Sequence, residues 1–383
     1  MKVALKHWRV SQKQLIQYDV IRSSDVFDEN NDLLISSEKN GGNRRFVVVD
    51  QRVYDIFSDK IHKYFRQKGI IARIVPISTG EANKSISNYT SLLEELDSFS
   101  INRRNEPIIC IGGGVLTDLV GFVASTYRRG IPRINVPTTI MGYVDAAIGI
   151  KTGINFNESK NRVGTFSCPQ KVLLDKTFFS TLERRHILNG VGEIVKLAII
   201  KDSNLFTALE KYGKACISSK FQDDKGDLIL ERAIDSIIQE LEPNLFEDNL
   251  SRSADFGHTF STALEMQKGS DLLHGEAVVI DCVFSSMIAF KRGLLSKNQL
   301  DGIVNLVLEL DVLVDCPWIE DTLLWDALME RTYHRNGLQR LPLPCAIGEH
   351  IFVNDVEFSE VHIACEFFKK WMCEKWKKLS ILI

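Results

Sequence analysis

From Arg45 onward the chain alternates short, continuously apolar runs with longer amphipathic ones, and few folds accommodate that alternation. Residues 45–50 (R-F-V-V-V-D) are rich in β-branched side chains, and a helical pattern follows through Val53, Ile56, Phe57, Ile61 and Tyr64. Strand-like 71–77, a helix through Leu92, Leu93 and Leu96, strand-like 108–111, helical 115–125 and strand-like 133–139 continue the series. Strands that are apolar on both faces must be covered on both faces, so the series predicts a parallel sheet flanked by helices, of the nucleotide-binding kind. Upstream lie strand-forming residues at 18–21 and two polar loops, D-E-N-N-D and S-E-K-N-G-G-N. After Asp175 the strand pattern stops and helical periodicity takes over. An α/β domain over residues 1–180 and a helical domain over 181–383 are therefore expected, and 383 residues suffice to fill two cores.

Within the first domain, Gly112-Gly113-Gly114 closes the strand P-I-I-C-I and opens the helix V-L-T-D-L-V. Glycines at such a turn let backbone approach a pyrophosphate, whose charge the helix N-terminus favours. The spacing is not G-x-G-x-x-G, so a plain tight turn is the alternative. Asp50 ends its strand where a carboxylate can take ribose hydroxyls, and the polar cluster Glu81, Asn83, Lys84 also agrees with a dinucleotide. Residues 145–161 (D-A-A-I-G-I-K-T-G-I-N-F-N-E-S-K-N) read as a loop beside a buried strand. There the acid Asp145, the ammonium groups of Lys151 and Lys160 and the amide of Asn161 suit a polar, anionic small molecule. A solvated loop with scattered charges is the competing reading.

Glu193 and Lys196 fall in G-V-G-E-I-V-K-L-A-I-I, which places both on one face of an apolar helix. A buried acid there is expensive unless it is paired or bound to metal. His258 lies in A-D-F-G-H-T-F and His274 in L-L-H-G-E-A-V-V-I, each opening an apolar helical run. One carboxylate and two imidazoles suit a catalytic zinc with open positions. Each histidine could equally be a satisfied cap or core residue, and linear spacing does not decide. A formal net charge of −3 lacks the basic footprint of a nucleic-acid binder. Eight cysteines without C-x-x-C spacing fit reduced thiols, no run reaches the length of a membrane span, and M-K-V-A-L-K-H-W-R-V has no apolar leader core; a cytoplasmic protein is expected. The basic, tryptophan-bearing end F-F-K-K-W-M-C-E-K-W-K-K is expected to dock on its own domain rather than on a membrane surface.

Taken together, G-G-G-V with Asp118, V-P-T-T, V-D-A-A-I-G-I-K-T-G-I-N, K-N-R-V-G, G-E-I-V-K, F-G-H-T and L-H-G-E resemble the sugar phosphate cyclases. That superfamily contains dehydroquinate synthase and the sedoheptulose 7-phosphate cyclases, and the resemblance runs from about Phe46 to Asp355. It implies a Rossmann-like NAD-binding domain, a helical metal-binding domain and an active site between them. Carried over, the metal ligands are Glu193, His258 and His274, with zinc or cobalt as the ion. Asp145, Lys151, Lys160, Asn161, Lys196 and Asp255 line the substrate and phosphate site. Arg129, in T-Y-R-R-G, resembles an arginine that reaches the phosphate from a neighbouring subunit, which implies a homodimer. For NAD the matches are Asp50, Glu81, Lys84, Gly113, Gly114, Asp118, Thr138, Thr139 and Thr181. The implied chemistry is a transient oxidation by NAD, β-elimination of phosphate, return of the hydride, ring opening and aldol closure, without net oxidation.

Dehydroquinate synthase holds a substrate carboxylate with a lysine and an arginine. The corresponding positions here are Ile237 and Ser251, with Arg252 one place out of register and no lysine between 237 and 258. Losing such partners leaves a desolvated charge unpaired, which argues for a substrate without a carboxylate. Asp255 also stands where dehydroquinate synthase has asparagine, and Thr262 where it has a second histidine. E-P-N-L, D-F-G-H, H-R-N-G-L-Q-R-L-P-L-P and F-V-N-D-V look like cyclases of sedoheptulose 7-phosphate. K-T-G-I-N-F and H-R-N-G are more similar to the type that forms 2-epi-5-epi-valiolone than to the type that forms desmethyl-4-deoxygadusol; formation of 2-epi-valiolone stays open, and Thr262 departs from the proline of the valiolone type. His334 is a candidate substrate contact. Dehydroquinate synthase and a metal-dependent alcohol dehydrogenase, which would release NADH, are the alternatives.

Overall fold

The computed structural model describes residues 6–36, 42–78, 80–157 and 159–379, with side chains in the last helix as far as Cys373. Its strands are β1 (Asp19–Ser23), β2 (Arg44–Asp50), β3 (Ile71–Ile77), β4 (Ile108–Gly112), β5 (Arg133–Pro137), β6 (Lys151–Phe156), β7 (Ser159–Phe166), β8 (Lys171–Asp175), β9 (Leu341–Ala346) and β10 (Glu349–Val353). In the first half they alternate with α1 (Gln51–Gln67), α2 (Ile86–Phe99) and α3 (Gly114–Thr126). The second half carries α4 (Arg184–Ile200), α5 (Ser203–Ser218), α6 (Asp224–Leu241), α7 (Ser261–Glu265), α8 (His274–Lys291), α9 (Lys297–Glu309), α10 (Asp321–Tyr333) and α11 (Phe358–Leu379).

Six parallel strands form one sheet in the order β1-β8-β5-β4-β2-β3. The two-residue period of its strands sorts their side chains to opposite faces. Val47, Val49, Ile109 and Ile111 pack with Ile61, Tyr64 and Phe65 of α1, whereas Phe46, Val48, Ile108 and Cys110 pack with Leu92 and Leu96 of α2 and with Leu116 and Val120 of α3. This is the doubly covered parallel sheet that the unbroken apolar runs predict. The chain leaves β2 toward β3 and then crosses to β4 on the other side, so the carboxyl ends of β2 and β4 flank a switch point where α/β sheets bind ligands. Asp50 ends β2 and Gly112 ends β4.

Residues 145–161 are not a loop. After one widened helical turn at Gly142–Ala146, β6 and β7 form an antiparallel hairpin. Gly153, which reads as loop punctuation, and Gly164 sit where the two strands cross too closely for a side chain: a Cβ would lie 2.7 Å from Val163 O and 2.2 Å from Thr152 O respectively. The helical half also departs from its sequence pattern where β9 and β10 pair as a two-stranded ribbon. Pro342 and Pro344 rule out a helix through L-P-L-P-C-A, and an isolated ribbon tolerates the missing donors.

The largest core joins the two halves: Ile140, Tyr143 and Val144 pack with Val191 and Val195 of α4 and Val279 and Val283 of α8. Helices α4 and α8 meet backbone to backbone at Gly192 and Gly275. Val361, Ala364, Cys365, Phe368 and Met372 bury α11 in the same core, so the C-terminal helix docks on its own domain as its amphipathic pattern predicts. Among the described residues, no helix is long and apolar enough to cross a membrane.

Candidate active site

Three elements of the helical half converge on one point. Glu193, wholly buried, projects from α4; His274 opens α8; His258 lies in the turn before α7. The Nε2 atoms of His258 and His274 lie 3.5 and 3.4 Å from Glu193 Oε1 and 3.2 Å from each other. His258 Nδ1 faces Phe256 O at 3.2 Å, and His274 Nδ1 faces Glu265 Oε1 at 3.1 Å. Both partners only accept, so each Nδ1 carries a proton and donates it, which leaves each Nε2 facing inward as the atom that a metal would take.

Acceptors that face one another in a buried site repel unless a cation lies between them. Lys196 Nζ approaches Glu193 Oε2 at 2.5 Å as an ion pair, yet neither Glu193 oxygen receives a well-directed hydrogen bond. Ligands about 2.0–2.1 Å from a tetrahedral zinc stand roughly 3.3 Å apart, which matches this trio. The residues therefore fit a divalent metal. Burial and the nearby Lys196 charge push His258 down to about 3, so it presents a neutral imidazole. His274 goes the other way: burial opposes its charge, but the close Glu193 carboxylate and the hydrogen-bonded Glu265 carboxylate push it up to about 10. A metal ion bound there would take the place of that proton. Burial disfavours the Glu193 carboxylate, yet Lys196 and the two histidines hold it well below the usual range.

Asp145 sits in the widened turn next to this trio. Burial raises its pKa, against the charge of Lys196 and with that of Glu193. The hairpin lysines reach across to the helical half: Lys151 Nζ pairs with Glu247 at 2.6 Å, and Lys160 Nζ pairs with Glu265 at 2.6 Å. Asn161, exposed at φ 53°, donates its backbone N–H to Asn155 Oδ1, and Asn155 Nδ2 donates to Glu81 Oε1 at 2.8 Å. The hairpin thus ties the switch-point crevice to the histidine site.

At that crevice, Asp50 Oδ1 accepts from Arg52 N and Val53 N and so caps α1. Gly113 and Gly114 begin α3 in tight surroundings, since a Cβ would lie 3.1 Å from Thr139 and from Ala146 respectively. Lys84, almost fully buried, pairs with Asp118 at 3.1 Å and Glu81 at 3.4 Å. Burial disfavours its charge, but those two carboxylates raise its pKa. Thr138 is buried, and Thr139 Oγ1 accepts from Gly142 N. Thr181 donates to Phe178 O within its own turn.

Asp255 is the centre of a second cluster. Arg252 donates to both its oxygens at 3.1 and 2.7 Å, Arg331 to Oδ1 at 3.2 Å and Arg335 to Oδ2 at 2.5 Å. Burial would raise its pKa, but Arg331, Arg252 and Arg335 hold it below the usual carboxylate range. Arg252 also pairs with Glu247. His334 is exposed at the end of α10, and its neighbour Arg335 turns inward instead; Thr262 is exposed on α7. Arg129 lies exposed on a turn with Arg128, Arg129 and Gly130 all at positive φ (49°, 65° and 104°). Among the described residues, no contact brings its guanidinium to the histidine site of its own chain.

Sequence reasoning missed Glu247, Glu265, Arg331 and Arg335. Glu247, Arg331 and Arg335 are within or near motifs that it used and Glu265 lies between two of them, but which of several charges turns inward is decided by packing.

The sequence matches the 3-dehydroquinate synthase N-terminal model over residues 74–189 and the C-terminal model over 190–334. It is 44% identical to a 2-epi-5-epi-valiolone synthase of Streptomyces albus over 93% of this chain and 89% of that one. Another 2-epi-5-epi-valiolone synthase, from an Actinoplanes species, is 42% identical over 93% of this chain and 92% of that one. The fold superposes on the 2-epi-5-epi-valiolone synthase ValA of Streptomyces hygroscopicus subsp. jinggangensis 5008, solved with NAD+ and Zn2+ bound, with a TM-score of 0.91, 37% identity and coverage of 95% of this chain and 99% of that chain. With both halves of the family model matched in order and a cyclase structure superposing nearly end to end, the chain belongs to the dehydroquinate synthase-like superfamily of sugar phosphate cyclases.

Proposed function

We propose that this protein is a sedoheptulose 7-phosphate cyclase, a carbon-oxygen lyase that forms 2-epi-5-epi-valiolone and releases phosphate. The names of its relatives support the reaction. The observation in this chain that carries the choice of substrate is the engagement of Arg252: its guanidinium is bound to Asp255 and Glu247, so it is not presented to a substrate carboxylate. Asp255, kept ionised by Arg331, Arg252 and Arg335, takes all three guanidinium groups on its two oxygens, so those cations too are engaged within the protein and not offered to a substrate carboxylate. An uncharged heptulose phosphate backbone fits those surroundings; a heptulosonate does not.

Glu193, His258 and His274 hold zinc, which when bound supplies a Lewis acid for the hydroxyl being oxidised and the carbonyl being attacked. Asp50, Glu81, Lys84 and Asp118, with Gly113, Gly114, Thr138, Thr139 and Thr181, hold NAD, which accepts a hydride and later returns it. Lys151, Lys160 and Asn161 orient the phosphate and offset its charge, and Arg129 of a second subunit completes that pocket in a homodimer. Lys196 stays an ammonium, since Glu193 and Asp145 raise its pKa despite burial, and it anchors both carboxylates beside the reacting carbons. Asp145, with its raised pKa, can take up or release a proton there. The α/β domain over residues 1–180 supplies the cofactor side and the helical domain over 181–383 the metal side. The enzyme works in the cytoplasm.

The test is to supply the purified protein with NAD and zinc, and then either sedoheptulose 7-phosphate or the heptulosonate substrate of dehydroquinate synthase. Phosphate release and product configuration by NMR are the readouts. Release from the heptulose alone, with a 2-epi-5-epi-valiolone ring and no accumulation of NADH, is expected. Release only from the heptulosonate overturns the reading, and accumulating NADH would make the protein a dehydrogenase.

A further inference from the structure

We propose that Glu265 is a positioning residue that binds His274 with one carboxylate oxygen and Lys160 of the hairpin with the other, so that one side chain sets both metal affinity and lysine placement. This rests on the reading of Glu193, His258 and His274 as metal ligands. The Glu265 side chain is only 3% exposed, and a carboxylate so buried must have strong partners. Its two oxygens go to different halves of the molecule: Oε1 accepts from His274 Nδ1 at 3.1 Å, and Oε2 accepts from Lys160 Nζ at 2.6 Å.

The first contact fixes the His274 tautomer and ring plane, which leaves Nε2 facing Glu193 and His258. A carboxylate behind a ligating imidazole also makes the imidazole a stronger donor to metal. The second contact holds the β7 end of the hairpin against the helical half. Glu265 itself is well anchored. It ends α7, whose N-terminal backbone is held by Asp281 of α8: Oδ2 accepts from Phe260 N at 2.6 Å and from Ser261 N at 3.0 Å, and Oδ1 accepts from Ser285 Oγ at 2.9 Å. Since His274 opens α8, the carboxylate and the imidazole that it orients are built on one rigid unit.

The experiment uses full-length protein stripped of metal, with zinc affinity measured by competition against a chromophoric chelator and folding followed by circular dichroism. Glu265→Ala should bind zinc about 10- to 100-fold more weakly with its helical signal intact. Glu265→Gln should retain most of the affinity, because its amide oxygen still accepts from His274 Nδ1. It presents an N–H to Lys160, so its KM for the sugar phosphate should rise several-fold more than its kcat falls. Wild-type zinc affinity in Glu265→Ala, or affinity in Glu265→Gln as poor as in the alanine variant, overturns the metal half of the proposal. An unchanged KM in Glu265→Gln overturns the lysine half. His258→Ala is the control: if it too binds zinc normally, the ligand assignment fails rather than the role of Glu265.

Discussion

Around Asp255 three guanidinium groups share one buried carboxylate, and Glu247 engages one of them from the far side. Such a cluster is stable only while Asp255 is ionised. Its pKa is lower in the folded protein than the roughly 3.9 of an unfolded chain, so its contribution to stability is fully present above about pH 4 and is lost as pH falls through the folded value. Asp255→Asn leaves the arginines without their charge partner and should destabilise the protein at pH 7 by about 3–5 kcal/mol. Chemical denaturation of both proteins at pH 7 and again at about pH 3 checks the sign: the gap should narrow in acid. A gap of constant size would mean that Asp255 acts by shape and not by charge. The same variant should lose cyclisation, which separates it from a remote destabilising change of equal size.

At the scale of elements, the contact that matters most is the crossing of α4 over α8, because these helices carry Glu193 and His274. A Cβ at Gly192 would lie 2.4 Å from Gly275 O, and one at Gly275 would lie 1.8 Å from Asn189 O. Backbone cannot yield as a side-chain tip can, so Gly192→Ala should force the helices apart. A loss of about 1–3 kcal/mol is expected, measured by thermal or denaturant unfolding, with weakened zinc binding. Gly302→Ala in α9, where nothing lies within 4 Å, should instead be neutral or stabilising by about 0.4–1 kcal/mol. Equal behaviour of the two would remove the close approach as the reason for Gly192. Much of this level was legible beforehand. Strands β2 to β5 and helices α1 to α4 lie where the periodicity puts them, since two-sided burial writes itself into continuous apolar runs. The hairpin was not, because Gly153 and Gly164 look like loop residues until the facing strand is known. The motifs located Glu193, His258 and His274, yet spacing alone could not show that they meet: residues 193, 258 and 274 become neighbours only through the α4–α8 crossing and the turn before α7. Nor could it show that Arg335, rather than His334, turns toward Asp255.

On the proposed reading, the phosphate end of the site is shared between two copies of the whole molecule. Lys151 and Lys160 approach from the hairpin, but Arg129 stands on an exposed turn and, among the described residues, no contact brings it to the histidine site of its own chain. Arg128 and Arg129 hold positive φ values of 49° and 65° that non-glycine residues adopt at a cost in backbone energy. If each site borrows Arg129 from a second copy, then Lys151→Ala and Arg129→Ala homodimers are both inactive for different reasons. Mixing them under conditions that exchange subunits generates hybrids in which one site lacks both residues and the other lacks neither. With random reassortment of equal amounts, about one quarter of all sites become intact, and phosphate release should recover to roughly that share of wild type. No recovery, in a mixture shown by mass to contain hybrids, means that Arg129 serves its own chain or none. A monomer that is fully active in dilute solution would sink the shared site outright. The two outcomes differ in what they say about the fold: recovery makes the turn after α3 part of a composite active site, whereas failure leaves its strained backbone without an account.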